Sequence, residues 1–171
     1  FMYLKNNILG KNSITIYFIV VFLSFIFGFF LNDDSAGGGL VDFEHEWTSI
    51  NEFKLGIFSA LTSIKYESSR TPLFLILNYF NPFNDTEYGF RLSNFIFNIF
   101  IPIPFYFLLK RKYPELSLNL LVSISLLLYL SPYFRTSSYW AHQENLPIFF
   151  TLISLLYFEI FKTKKIKQNL I

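Results

Sequence analysis

Residues 14–31 read ITIYFIVVFLSFIFGFFL, 18 positions without a charge. A helix needs roughly 20 apolar residues, within a range of about 17–25, to cross about 30 Å of hydrocarbon. A secretory signal carries an apolar core of only about 7–15 residues and a small-residue cleavage site. This run is longer and is followed by Asp33 and Asp34, so it reads as a retained first span. The composition agrees. Of 171 residues 53% are hydrophobic, 22% aromatic and only 15% charged, against roughly 25% charged in soluble domains. Such a chain collapses in water, which excludes disorder. The absence of Cys excludes a disulfide scaffold and thiol or Cys–zinc chemistry. A net charge of +2 is too small for a nucleic-acid partner.

Working outward, residues 90–109 form a second apolar run that opens on Arg91 and contains Pro102 and Pro104. Prolines there remove backbone hydrogen bonds and kink the span. Residues 116–131 and 146–161 are 16-residue runs, short spans that need flanking residues to complete the crossing. Tyr129, Tyr133, Tyr139 and Trp140 suit an interfacial aromatic belt. The run 71–83, interrupted by Asn78 and Asn81 and holding Pro82, is too short to span and reads as an interfacial or re-entrant segment.

Four spans make the connecting segments alternate sides. One side then holds nine Lys and Arg (Lys5, Lys11, the 110–112 cluster and the 162–167 cluster) against Glu115 and Glu159, a net +7. The other side holds five cations against ten carboxylates, a net −5. Positive residues collect in short cytoplasmic loops, so both ends read as cytoplasmic. The expected fold is an all-α membrane protein with about four transmembrane helices and a long outer loop, 32–89, that carries two amphipathic surface helices. The first of these comes from Trp47, Ile50, Ile57, Phe58, Leu61 and Ile64 at helical spacing. The second is 71–83, with Pro72 in its first turn. The opening NDDSAGGGLVDFEHEW reads as flexible and carboxylate-rich. Asn84-Asp85-Thr86 matches the three-residue N-glycosylation pattern.

This layout resembles the N-terminal part of the GT-C glycosyltransferases, multispanning enzymes that use lipid-phosphate-linked sugars. SSRTPLFLILNYF (68–80) looks like the family's Pro-Leu-Tyr-type helix. TEYGFRLSNFIFNIF (86–100) looks like its Gly-x-x-Glu-x-x-x-Arg-Leu entry into the second span, without the Gly at the usual place before Glu87. DFEHEW (42–47) resembles the Asp-Glu-x-His element of protein O-mannosyltransferases, with Phe43 where Glu would stand. QENLP (143–147) sits where many members place a short polar motif. The resemblance covers roughly residues 12–165 and implies that the chain is a single, truncated N-terminal part of a longer module.

The resemblance also implies an inverting transfer of a hexose or pentose from a polyprenyl-phosphate-linked donor to an acceptor on the non-cytoplasmic face. That implies a carboxylate base in the first outer loop. Asp42 is the first choice and Asp34 the second, with Glu44 and His45 orienting the acceptor or tuning the base. In the plainer reading these acids only keep the loop solvated. A guanidinium binds phosphate through two parallel hydrogen bonds, which makes Arg91, Arg70 and Arg135 candidate donor-binding residues. In the plainer reading the three snorkel to headgroups, and Arg135 suits that role best. His142 and Glu144 either extend the site or cap the fourth span. No cofactor is assigned, and a divalent metal is left open. The partners expected are membrane lipid, the lipid-linked donor and an acceptor, in a bacterial plasma membrane or endoplasmic reticulum. The alternative is a non-catalytic flippase, polymerase or transporter for a lipid-linked glycan, or a plain membrane anchor for a partner protein.

Overall fold

The computed structural model describes residues 2–62 and 71–168, and side chains over 13–62 and 71–162. Every regular element among the described residues is helical. Helix α1, Met2–Phe30, is 29 residues long and ends as Leu31, Asn32 and Asp33 turn back on the last carbonyls, with Asp33 N donating to Gly28 O at 2.9 Å. Its segment Ser13–Phe30 is long and apolar enough to cross a membrane.

Helices α5 (Glu87–Ile99) and α6 (Pro102–Lys112) together form a second such segment, Glu87–Lys112. The break falls just before Pro102, which starts α6 because its missing N–H costs nothing in a first turn. Helix α9, Asn145–Gln168, provides the third, Asn145–Lys162, of which only 6% is buried. Between them run α7 (Leu118–Leu126), the 3₁₀ turn Leu127–Leu130 and α8 (Pro132–Tyr139). The arms Leu118–Leu130 and Pro132–Tyr139 meet at 65°. So among the described residues three helices have the length and apolarity to cross, and a fourth crossing requires both arms of this bent pair.

The segment between the first two spans is more ordered than its glycines suggest. Helix α2 spans Gly39–Leu55 and α3 Ile57–Leu61, broken at Gly56. The residues 42–47 are therefore helical, not part of a flexible opening. Helix α4, Pro72–Tyr79, has eight residues. At about 1.5 Å per residue it reaches roughly 12 Å, far short of a crossing.

Phe25, Phe29, Phe43, Phe90, Phe95 and Tyr139 centre the core, which joins α1, α2, α5 and α8. Phe29 stacks on Phe95 at 4.4 Å between centroids, and Phe25 on Tyr129 at 4.2 Å. Two sequence readings need correction. Trp140, Tyr139 and Tyr129 are buried, at 9%, 0% and 2% exposure, so only Tyr133 of that group is free to sit in an aromatic belt. Asn84 is buried and its Nδ2 donates to Asn78 O. A side chain held that way is no accessible sugar acceptor.

Candidate functional site

The site is built around the N-terminus of α2. The first N–H groups of a helix have no partner inside it. Gly38 turns the chain into α2 with φ +80°, a left-handed conformation that suits glycine, and it supplies no side-chain cap. Asp34 takes that role from four residues back. Its Oδ1 and Oδ2 accept from Gly39 N at 3.1 and 3.0 Å. A carboxylate there also faces the positive end of the helix dipole. Ala36 N donates to Thr136 Oγ1 at 3.0 Å, which ties the loop to α8.

Its neighbour Asp33 is used differently. Arg135 Nη2 lies 2.7 Å from Asp33 Oδ2, and Nε donates to the same oxygen at 2.9 Å. Arg135 Nη1 also reaches Ser24 Oγ at 3.2 Å and Tyr129 O at 3.3 Å. The guanidinium is thus committed to protein partners on α1 and the bend. It does not snorkel to headgroups, as its sequence position suggested.

Arg91 is also turned inward. Its Nε donates to Tyr139 O and its Nη2 to Asn32 Oδ1, both at 2.8 Å. Its guanidinium carbon stands 4.1 Å from the centre of the Trp140 ring. The partners differ in charge. Asp33 pairs Arg135 directly, whereas the hydrogen bonds and ring contact of Arg91 are to neutral groups, and the carboxylate that acts on its charge is Glu87, one turn back on α5.

His142 joins α2 to the start of α9. Its Nε2 lies 3.0 Å from Gly39 O. A carbonyl only accepts, so Nε2 carries the proton. The other ring nitrogen, Nδ1, is 3.9 Å from Glu144 Oε2, and that oxygen is buried without a hydrogen-bond partner among the described residues. Glu144 and Asp42 both act electrostatically on the Tyr133 hydroxyl. Through His142 and Gly39, Glu144 is brought to the first turn of α2, where Asp42 also lies, although 102 residues separate the two carboxylates in the chain.

Asp42, Glu44 and His45 are exposed on α2. Asp34, Asp42, His142 and Glu144 are thus gathered around one helix end, with Arg91 fixed beside them through Trp140, which in turn packs against Gly39. Arg70 lies outside the described residues. Sequence reasoning missed Tyr133 and Trp140 as site residues, because it gave both to the aromatic belt. It also passed over Glu46, whose side chain is buried at 1% exposure on the inner face of α2. A carboxylate at helical spacing from Phe43, Ile50 and Phe53 was the available signal. Among the described residues no three His, Asp or Glu side chains are gathered to hold a metal ion. Comparison with protein-family models, curated proteins and solved structures finds no match.

Proposed function

We propose that this chain belongs to an integral membrane glycosyltransferase of the GT-C type. It moves a sugar from a polyprenyl-phosphate donor to an acceptor hydroxyl on the non-cytoplasmic face, with both ends of the chain cytoplasmic. The observation that carries this reading is that Asp42, in the first turn of α2, and Glu144, brought to that helix end by the contact of His142 with Gly39, lie beside the end of the first span.

In the transfer, the acceptor oxygen attacks the anomeric carbon as the bond to the donor phosphate breaks, with inversion. The acceptor proton passes to a carboxylate within hydrogen-bond reach. Asp42 is the base, since Asp34 is occupied capping α2 and Asp33 in pairing Arg135. Glu144, 3.9 Å from His142 Nδ1, is the second carboxylate of the site. Glu44 and His45, on the same exposed stretch of α2, line the acceptor's approach. Arg91, whose direct hydrogen-bond partners are neutral, stands beside this group and is the cation suited to the leaving phosphate.

The test is transfer of label from a polyprenyl-phosphate sugar by membranes containing the whole protein. Asp42→Asn lowers the rate by about 10²–10⁴-fold, the usual contribution of a positioned base. Full transfer by Asp42→Asn, Asp34→Asn and Glu144→Gln alike overturns the mechanism.

A second reading has support from the broken helices. The 65° bend between Leu118–Leu130 and Pro132–Tyr139 and the break before Pro102 are features that transporters place at substrate sites. Movement of a lipid-linked glycan across proteoliposomes, with no transfer of label, decides for that alternative.

A further inference from the structure

A second site lies on the other side of His142. A cavity of about 420 Å³ opens between α4, α5 and the start of α9, within the roughly 300–1,000 Å³ range of small-ligand pockets. Five of the side chains lining it are asparagines, Asn78, Asn81, Asn94, Asn98 and Asn145, joined by Ser93. Sequence reading used two of these only to mark an interruption in an apolar run.

Most of these groups satisfy one another. Asn81 Nδ2 donates to Ser93 Oγ at 2.7 Å and to Asn78 Oδ1 at 3.2 Å. Asn94 Nδ2 donates to Phe90 O at 3.0 Å, and Phe83 N to Asn81 Oδ1 at 3.0 Å. Two acceptors are left over. Asn98 and Asn145 are buried at 2% and 1% exposure, and the Oδ1 of each has no hydrogen-bond partner among the described residues. The amide orientation of Asn145 is fixed, because Ser138 Oγ gives its own proton to Phe134 O and so accepts from Asn145 Nδ2 at 3.0 Å, which also donates to Phe134 O at 3.5 Å. A buried acceptor held this way calls for a donor from whatever fills the cavity.

The lining also says what that donor is not. Among the described residues its lining holds no Lys, Arg, Asp or Glu, and His142, already engaged with Gly39 O, is the one titratable side chain there. A phosphate or an ammonium would find no countercharge. The remaining wall is apolar, and the rim residues Leu77 and Phe83 are 46% and 65% exposed. A ligand that enters there carries an apolar part outward.

We propose that this cavity binds an uncharged, hydroxyl-bearing head group carried on an apolar stem, as in a neutral alkyl glycoside. The hydroxyls donate to Asn98 Oδ1 and Asn145 Oδ1, and the stem leaves between Leu77 and Phe83. The assignment needs no catalysis, so it stands or falls separately from glycosyl transfer.

The probe is n-octyl β-D-glucoside with a diazirine in its alkyl chain, applied to the whole protein in lipid nanodiscs. Crosslinks are expected on α4 and the first half of α5. Asn98→Leu and Asn145→Leu each lower labelling about tenfold, the loss of one net hydrogen bond. Because a buried amide change carries a folding cost, Leu77→Trp at the exposed rim is the second variant. It blocks the mouth and abolishes labelling while the unfolding temperature stays unchanged. Equal labelling by the permethylated glucoside, which has no hydroxyl to donate, overturns the proposal, as does equal labelling by the same chain ending in phosphocholine. Competition by methyl glucoside as strong as by octyl glucoside overturns the role given to the stem.

Discussion

The guanidinium of Arg91 lies 4.1 Å from the centre of the Trp140 ring while its Nε donates to the carbonyl of Tyr139. One side chain near the N-terminal end of α5 thereby holds the exit of α8, and through Trp140 it abuts Gly39 at the start of α2. Lysine keeps the charge but loses the planar fork and the stacked face. Arg91→Lys should cost about 1–2 kcal/mol, from one charged hydrogen bond and part of the cation–π contact. Thermal unfolding in detergent reads this as a lowered midpoint. A variant that melts with the wild type would show that the stack does not hold α8.

The Asp33–Arg135 pair links the end of α1 to α8, with side-chain exposures of 25% and 13%. Breaking a pair this sheltered leaves a charge without its partner, so both single variants should destabilise. A double-mutant cycle of Asp33→Asn with Arg135→Gln should give a coupling energy of about 1–2 kcal/mol. Strict additivity would mean that the two residues act independently.

Asp34 separates capping from catalysis. Asparagine caps a helix nearly as well as aspartate, whereas alanine cannot, at a cost of about 1 kcal/mol. Asp34→Asn should therefore keep both the fold and transfer, while Asp34→Ala lowers stability. Loss of transfer in a stably folded Asp34→Asn would move the base from Asp42 to Asp34. Stability and rate measured on the same preparations decide between them.

Gly89 tests the wall of the amide-lined cavity. A Cβ on it would stand 2.1 Å from the carbonyl oxygen of Phe83, a backbone atom that moves only with the whole 80–86 turn. Overpacking of this kind costs about 1–3 kcal/mol. Gly89→Ala should lower the unfolding midpoint and weaken octyl glucoside labelling together. An unaffected variant would mean that the turn gives way freely.

The sequence made the lengths of the apolar runs readable. Residues 14–31 and 146–161 lie within a residue of the segments Ser13–Phe30 and Asn145–Lys162, because hydrocarbon thickness sets a minimum that composition alone reveals. The run 116–131 is a different case. It stops at a 65° bend, where Pro132 starts a new helix instead of extending the old one. The glycine-rich opening of the outer loop misled for a physical reason. Its order comes from Asp34 capping α2 and from Thr136 and His142, which reach it from about 100 residues away. Pairings at that separation, like Asp33 with Arg135, leave no local pattern. The two leftover acceptors, Asn98 and Asn145, were legible only as polar residues inside or beside apolar runs. What made them a pair was the packing of α5 against the start of α9.

Everything proposed for the carboxylates depends on their facing the non-cytoplasmic side. The chain has no Cys, so a single introduced thiol reports its own location. Ser35→Cys, on the exposed turn before α2, should react with a membrane-impermeant maleimide added to intact cells, while Arg111→Cys should react only after permeabilisation. The reverse pattern would put the carboxylates on the cytoplasmic side and contradict the proposed transfer outright.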